Sequence, residues 1–348
     1  MEVMVLSDRR AVFPVSRRCR VKRAAIALYS ILAVAVLLVA SCSRTDPNLH
    51  PDRVVMTVLM GEWVHALSPT PGGTRLYVSQ DTHGGEAQMM ILRARDYAAL
   101  GSFPCGILPL DMLFLPNGQY LYVADDPFLE NLGKVWAVDV AESRAVKEIP
   151  TGRDPSLLAA TPDGRFLYVG SWASGKVLVV RTEDNVVVDT MGFPYPVAAI
   201  AVSPDGSRLY VSAWKIYVLQ ASDHAVVDSI AVGPCAGKLA ILPDGTRLYA
   251  SAAGDSGLVY AIDVSGNTVE DSIVIGREIE DICLLPGGRF LYAPSYSDSS
   301  VYVIRTSDDS VVERIPIAFA PTGLTAHPDG SRVYVVGYRQ NEFIVLGI

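Results

Sequence analysis

The chain of 348 residues is 50% hydrophobic and 19% charged, which is typical of a folded protein with one large domain or two average ones. Its 37 acidic residues outnumber its 29 Lys and Arg, and the resulting formal charge of -8 argues against a nucleic-acid-binding surface. Its five cysteines are too few for a disulfide scaffold, and the absence of any Cys-x-x-Cys pair excludes ribbon-type zinc sites and covalently attached haem.

Residues 1–41 are predicted to be an export signal. Seven Lys and Arg residues precede an uncharged apolar run, which is the pattern of a bacterial secretion signal. The run ends in Val39-Ala40-Ser41-Cys42, which resembles the lipobox of bacterial lipoproteins, where the cysteine is acylated and becomes the new N-terminus. The resemblance implies a lipid on Cys42, a membrane partner, and a location at the periplasmic face of a membrane or at the cell surface.

Two alternatives stay open for this leader. The apolar run from Ala24 to Ala40 is close to the shortest length that spans a bilayer, so an uncleaved membrane anchor would have the same pattern. The segment Ser16-Arg17-Arg18-Cys19-Arg20 is similar to a twin-arginine export motif, although Arg20 replaces the usual Phe. Either route exports the chain. Residues 42–51, which are polar and contain two prolines, are predicted to be a short tether.

Residues 52–348 carry one motif seven times. Each copy is Pro-x-Gly followed four residues later by Tyr, and consecutive glycines are 39 to 46 residues apart. Pro and Gly favour a tight turn, and the flanking segments are rich in β-branched and aromatic residues. The glycine and tyrosine pairs are Gly73/Tyr77, Gly118/Tyr122, Gly164/Tyr168, Gly206/Tyr210, Gly245/Tyr249, Gly288/Tyr292 and Gly330/Tyr334.

Each copy is predicted to form four short antiparallel strands. In the third copy we expect strands at 157–161, 165–170, 176–180 and 186–190, separated by turn-forming residues. Four strands in about 42 residues is the size of one propeller blade, and blades bury both faces only by stacking around an axis. The sequence therefore predicts an all-β, seven-bladed β-propeller.

The last copy is one strand short. Only 18 residues follow Gly330, enough for strands at 332–336 and 342–346 but not for a fourth. An orphan β-branched segment, Val54–Leu59, precedes the first copy, and we predict that it pairs with the third strand of the last blade. This N-terminal strand would complete the blade, close the ring and remove an exposed edge.

The repeat resembles a known type. Pro204-Asp205-Gly206-Ser207-Arg208-Leu209-Tyr210-Val211, with close copies beginning at Pro243 and Pro328, is similar to the YVTN-type β-propeller repeat of bacterial and archaeal surface-layer-like proteins. The resemblance covers about residues 52–348 and implies the fold more than any activity. The asparagine that gives the motif its last letter is absent, so no ligand role of that asparagine carries over. Its positions hold Gln80, Asp125, Ser171, Ala213, Ala252, Ser295 and Gly337.

One face of the propeller is expected to carry the variable residues. The Pro-x-Gly turns occupy the opposite face, so the loops between strands two and three lie beside the blade-to-blade loops around the channel mouth. Aromatic and acidic residues four places after the repeat tyrosines are candidates for a stacking surface that binds a sugar or peptide, unless the rings only pack blade against blade. They are Asp81, Asp126, Trp172, Trp214, Tyr296 and Tyr338.

Charged side chains are expected nearer the axis, at the starts of the inner strands and in the loops before them. Mixed charges at a channel mouth could bind a polar ligand or shift one another's pKa values. The alternative is a solvated rim with local ion pairs. The candidates are His65, Asp111, Arg153, Lys238, Arg277 and Asp281.

No nucleophile with its base, metal-ligand cluster or cofactor fingerprint is evident, so we predict no catalytic residue, metal or cofactor. The preferred hypothesis is an exported, lipid-anchored, monomeric binding or scaffold module for an envelope protein, peptide or glycan. The alternative is an enzyme with its site at the channel mouth, because similar-looking propellers include lactone hydrolases and quinone- or haem-dependent dehydrogenases. A purely structural envelope component is a third possibility.

Overall fold

Strands account for all the regular structure in the part of the chain that the computed structural model describes, which contains no helix. That part comprises residues 38–39, 53–80, 85–127, 133–233, 236–252, 257–337 and 339–348. Its 29 strands form seven antiparallel sheets, and these described residues belong to one compact unit. No helix among these residues is long and apolar enough to cross a membrane.

Six blades are each built from four consecutive strands. Blades 1 to 3 contain β3 (Val64–Pro69), β4 (Arg75–Gln80), β5 (Gln88–Arg93), β6 (Ala99–Pro104), β7 (Pro109–Phe114), β8 (Tyr120–Asp125), β9 (Lys134–Asp139), β10 (Arg144–Pro150), β11 (Pro155–Ala160), β12 (Phe166–Ser171), β13 (Lys176–Arg181) and β14 (Val186–Gly192). Blades 4 to 6 contain β15 (Ala199–Val202), β16 (Arg208–Ala213), β17 (Lys215–Gln220), β18 (Val226–Ile230), β19 (Ala236–Ile241), β20 (Arg247–Ala252), β21 (Leu258–Asp263), β22 (Thr268–Val274), β23 (Cys283–Leu284), β24 (Phe290–Ser295), β25 (Ser300–Arg305) and β26 (Ser310–Pro316).

The seventh blade joins the two ends of the propeller. It contains β27 (Pro321–Ala326), β28 (Arg332–Gly337), β29 (Glu342–Gly347) and β2 (Arg53–Leu59), and the two-residue strand β1 (Leu38–Val39) pairs with the outer edge of β2. The first strands of neighbouring blades contact one another all the way round, so the seven sheets form a closed ring. The predicted seven-bladed propeller is confirmed.

Strand β2 closes the ring in the predicted position. Val58 pairs with Phe343 and Thr57 with Ile344, so the N-terminal segment is the fourth strand of the last blade. Beyond β2, the Met60 N–H donates to the Asn341 carbonyl oxygen at 2.7 Å. Val58 and Met60 are fully buried in a cluster that also contains side chains of blade 1. The closing strand is therefore packed as a core element as well as hydrogen-bonded.

The outer edge of each blade is irregular. In every blade the register between the third and fourth strands shifts once, for example between Ala145 and Lys147 in blade 2 and between Val54 and Met56 in blade 7. A bulge increases the local twist and interrupts the row of free backbone groups that another chain could pair with. The shifts thus protect the rim of the ring from edge-to-edge association.

Some of the repeat tyrosines connect one blade to the next. The Tyr122 hydroxyl donates to Asn185 Oδ1 at 2.6 Å, and the Tyr249 hydroxyl donates to Asp309 Oδ1 at 2.7 Å. Both acceptors lie in the turn between the third and fourth strands of the following blade, with φ of 57° and 54°. Asn and Asp adopt this left-handed conformation more readily than most residues, so one side chain serves both the turn and the contact between blades.

Removing the hydroxyl of Tyr122 and removing that of Tyr77 should affect the stability of the protein differently. Tyr122→Phe should lower the free energy of unfolding by about 1 kcal/mol, because it leaves the Asn185 amide oxygen without its donor. Tyr77 is equally buried, but its hydroxyl has no hydrogen-bond partner among the described residues, so Tyr77→Phe should be neutral or stabilising. Urea unfolding of both variants measures the difference. Equal losses would contradict the assigned role of the Tyr122 bond.

Candidate functional site

The loops and turns are divided between the two faces of the ring as the strand directions require. On one face, the blade-to-blade loops lie against the hairpins between second and third strands; the Phe193 N–H, for example, donates to the Gly175 carbonyl oxygen at 2.8 Å. On the other face, the Pro-x-Gly turns lie beside the turns between third and fourth strands, as the bond from the Ala94 N–H to the Thr74 carbonyl oxygen shows. We call the first side the mouth face.

Three exposed aromatic side chains lie on the mouth face of blades 3 and 4, and we call them the aromatic patch. They are Trp172, Tyr195 and Trp214, with 49%, 46% and 57% of their surfaces exposed. The Tyr195 and Trp214 rings are stacked, with centroids 5.3 Å apart and planes 25° from parallel. Trp172 and Trp214 were predicted candidates. Tyr195 was not, because it lies in a loop outside the repeat.

The backbone at Trp214 is unusual for a large side chain. Strand β16 ends at Ala213 and β17 begins at Lys215, which pair with each other, so Trp214 alone forms the tip of the hairpin. Its φ is +70°, in the left-handed region that costs a bulky residue about 1–3 kcal/mol. A glycine would adopt this conformation without strain. The chain instead holds an indole ring there, half-exposed and supported by Tyr195.

A close backbone contact joins the hairpin that bears Trp172 to the loop that bears Tyr195. A Cβ placed on Gly175 would lie 2.8 Å from the Phe193 carbonyl oxygen and 2.9 Å from that of Tyr195. Gly175 also has a φ of +62°, so glycine is required both by the close contact and by the backbone conformation. The three turn segments of this surface, 172–175, 193–196 and 214, contain no charged residue.

The other predicted mouth residues do not extend the patch. Tyr296 is 38% exposed but belongs to blade 6. Asp126 is buried just after β8, the second strand of blade 2, with 6% of its surface exposed. Asp81 and Tyr338 lie outside the described residues, as does the predicted lipidation site, Cys42.

Three of the predicted channel residues come together near the axis. Lys238 of blade 5 has its Nζ 4.0 Å from Asp281 Oδ1, at the start of blade 6. The carboxylates of Asp111, in blade 2, and of Asp281 raise the pKa of Lys238 above its ordinary value, so its ammonium group stays charged at neutral pH. Burial raises the pKa of Asp281, although Lys238 and two backbone N–H groups partly oppose that effect.

Both carboxylates also bridge neighbouring blades. Asp111 Oδ2 accepts the Leu158 N–H at 2.9 Å, and Asp281 Oδ2 accepts the Leu324 N–H at the same distance. Each bond runs to the first strand of the next blade, just after a register shift in that strand. The second oxygen of each carboxylate accepts the N–H of the following residue, at 2.8 Å for Asp111 and 2.9 Å for Asp281. These residues therefore hold inner strands together, whatever else they bind.

The remaining charged candidates are spread around the mouth. His65 is half-buried in β3, whereas Arg153 and Arg277 are exposed. The backbone of both arginines is fixed: the Arg153 carbonyl oxygen accepts the Ser171 hydroxyl at 2.7 Å, and the Arg277 carbonyl oxygen accepts that of Ser295 at 2.8 Å.

The polar residues among those that replace the motif asparagine secure blade-to-blade loops. Asp125 is fully buried; its Oδ1 accepts the N–H groups of Ile107 and Leu108 at 2.8 and 2.7 Å, and its Oδ2 accepts the indole N–H of Trp136 at 3.1 Å. Gln80 similarly donates to the Met60 carbonyl oxygen at 3.1 Å. Sequence reasoning missed this role, although the recurrence of polar residues at the end of the second strand was a signal for it.

The described residues offer little for covalent or metal chemistry. No group of three or more His, Cys, Asp or Glu among them is arranged to hold a metal ion. Cys105 and Cys283 are free thiols, and burial raises the pKa of each to about 12. A nucleophilic cysteine requires a lowered pKa, so neither thiol is activated.

Comparisons with known proteins support the fold. No known protein family profile matches the sequence. Over 107 residues the chain is 29% identical to a 6-phosphogluconolactonase of Enterobacter sp. (strain 638), and this match spans 30% of the chain and only 32% of that relative. The structure is similar to Kuenenia stuttgartiensis hydrazine synthase, with a TM-score of 0.69 and 19% identity over 83% of this chain and 96% of that one. Similarity at this level of identity reflects the shared propeller fold alone.

Proposed function

We propose that the protein is an exported, lipid-anchored β-propeller that binds a component of the cell envelope at its mouth face and catalyses no reaction. The observation that carries this proposal is the stacked Tyr195–Trp214 pair on a strained, single-residue hairpin tip. Strain and exposure of a large ring both oppose stability, and residues of this kind are concentrated at functional sites. The closed ring supplies the rigid support that a binding surface needs.

The anchoring part of the proposal rests on Cys42 and the apolar run before it. In a bacterial host, the full chain should incorporate labelled palmitate and fractionate with membranes, and Cys42→Ala should abolish the labelling. Inhibition of lipoprotein signal peptidase should make an unprocessed precursor accumulate. Membrane association without labelling would favour the uncleaved anchor instead.

The binding part is tested with isolated cell envelopes. The full chain in mild detergent should cosediment with peptidoglycan sacculi or with the remaining envelope material. A variant with Trp172→Ala and Trp214→Ala should lose most of that binding, because the rings are the exposed contact surface. Tyr296→Ala is the matched control, since it removes an exposed aromatic ring from another blade. Equal cosedimentation of all three proteins would mean that the aromatic patch is not the binding surface.

Lactone hydrolysis in the channel is the second candidate function. It is favoured by the convergence of Lys238 with two carboxylates and by the partial match to a lactonase. Lys238 would stabilise the negative charge that develops on the carbonyl oxygen. A pH-stat assay with δ-gluconolactone tests this role: the chain should accelerate hydrolysis, and Lys238→Met should abolish the acceleration. No acceleration by the unsubstituted chain would eliminate this candidate.

A further inference from the structure

We infer that the aromatic patch binds an uncharged sugar ring, laid flat against the exposed face of the Trp214 indole. This inference rests on the proposed binding function and goes further by naming the class of ligand. The stack on Tyr195 covers one side of Trp214 and fixes the plane of its ring, while 57% of the residue stays exposed. A rigid aromatic plane with a negatively charged face complements the polarised C–H groups on one side of a pyranose ring.

The charges around the patch favour a neutral ligand. Segments 172–175, 193–196 and 214 carry no charged side chain, in a protein that is acidic overall. Two lysines adjoin these segments: Lys215 donates from its Nζ to Ser229 Oγ at 2.9 Å and lies 4.8 Å from the centroid of the Tyr217 ring, whereas Lys176 is exposed. A carboxylate, that of Asp154, also contacts the patch, because it accepts the Ala173 N–H. This carboxylate and the overall negative charge would oppose carboxylated or phosphorylated ligands.

The backbone around the patch argues against an extended peptide. Peptides that add to a protein as a strand need free main-chain groups on the receptor. Here the Phe193 N–H is bonded to the Gly175 carbonyl oxygen, and the Ala173 N–H is bonded to Asp154 Oδ2 at 3.0 Å. The Ser174 N–H is likewise bonded to Ser171 Oγ at 3.2 Å. The patch thus offers ring surfaces rather than a strand edge, which suits stacking.

The strained hairpin provides a sharp test. Trp214→Gly removes the ring and relieves the left-handed strain, so the variant should fold at least as stably as the unsubstituted chain. Calorimetric titration of the full chain in detergent would use three neutral hexasaccharides: chitohexaose, cellohexaose and maltohexaose. At least one should bind, and Trp214→Gly should weaken that binding at least tenfold. Trp214→Tyr, which keeps a stacking face, should weaken it about threefold, and Tyr296→Ala should leave it unchanged.

Two charged or peptidic probes complete the test, a hexamer of galacturonate and a decaproline peptide. If either binds through Trp214 and no neutral sugar does, the sugar inference is overturned while the binding function stands. If no probe shows binding that depends on Trp214, the inference also fails, and envelope cosedimentation then decides the proposed function independently. If the patch instead joins two copies of the chain, Trp214→Gly converts a dimer to a monomer in sedimentation experiments, which overturns the inference as well.

Discussion

Replacing Val58 with Asp should lower the free energy of unfolding by about 4 kcal/mol or more. Val58 lies in β2 opposite Phe343, and its surface is completely buried. A carboxylate at this position would lose its hydration without gaining a partner, in addition to the lost apolar contact. Since β2 completes the last blade and leads directly into blade 1, the whole ring should be destabilised.

Val55→Asp is the matched control for this experiment. Val55 is in the same strand but is 46% exposed, at the register shift between Val54 and Met56. The same change of side chain there should cost less than about 1 kcal/mol, because the new charge stays in water. Chemical unfolding followed by intrinsic fluorescence compares the two. A loss below 1 kcal/mol in Val58→Asp would mean that the ring is stable without its closing strand.

Asp125→Ala should cost about 2–4 kcal/mol, because it removes the shared, fully buried acceptor of three N–H groups. The backbone donors of Ile107 and Leu108 and the indole donor of Trp136 would lose this acceptor, and the bonds they make to it are partly buried. A buried unsatisfied donor costs about 1–3 kcal/mol, and the three effects are not fully additive. The loss should be local at first, with faster hydrogen exchange at Ile107 and Leu108 than in blades on the other side of the ring.

Asp125→Asn separates the loss of hydrogen bonds from the loss of volume. The amide keeps the shape and one acceptor oxygen, which can still receive the bonds from Ile107 and Leu108. Its NH₂ group then faces the Trp136 indole N–H, which has lost its acceptor. We expect an intermediate loss of about 1–2 kcal/mol. If Asn and Ala are equally destabilising, the side-chain volume and the bonds from Ile107 and Leu108 contribute little, and the loss comes from the carboxylate and its bond to Trp136.

The sequence was sufficient to predict the architecture, because the architecture is periodic. The Pro-x-Gly turns and the tyrosines recur at blade intervals, and the missing fourth strand of the last copy pointed to Val54–Leu59. Strand ends were displaced by a residue or two; β12, for example, spans Phe166–Ser171 instead of 165–170. Such ends depend on hairpin geometry, which composition specifies only loosely.

The candidate site was harder to predict from the sequence, because its contacts are not periodic. Tyr195 lies between two prolines in the blade-to-blade loop before blade 4, outside the repeated motif, and its partner Trp214 is 19 residues away in the chain. Asp111 was proposed from its place near the axis, but nothing local indicates that its carboxylate bonds the backbone of the next blade. Contacts of this kind arise from the stacking of blades, which single-sequence patterns do not specify.

The direction of β2 would orient an anchored molecule. Arg53, at its start, pairs with Gly347, and the next residue, Ile348, donates its N–H to Ser331 in a Pro-x-Gly turn, so β2 begins on the face opposite the mouth. Ten residues lie between Cys42 and Arg53, so the eleven Cα–Cα steps reach at most about 40 Å. A lipid on Cys42 would hold the ring with its Pro-x-Gly turns towards the bilayer, so Trp214 would face away from the membrane surface, where bulky polymers can approach it.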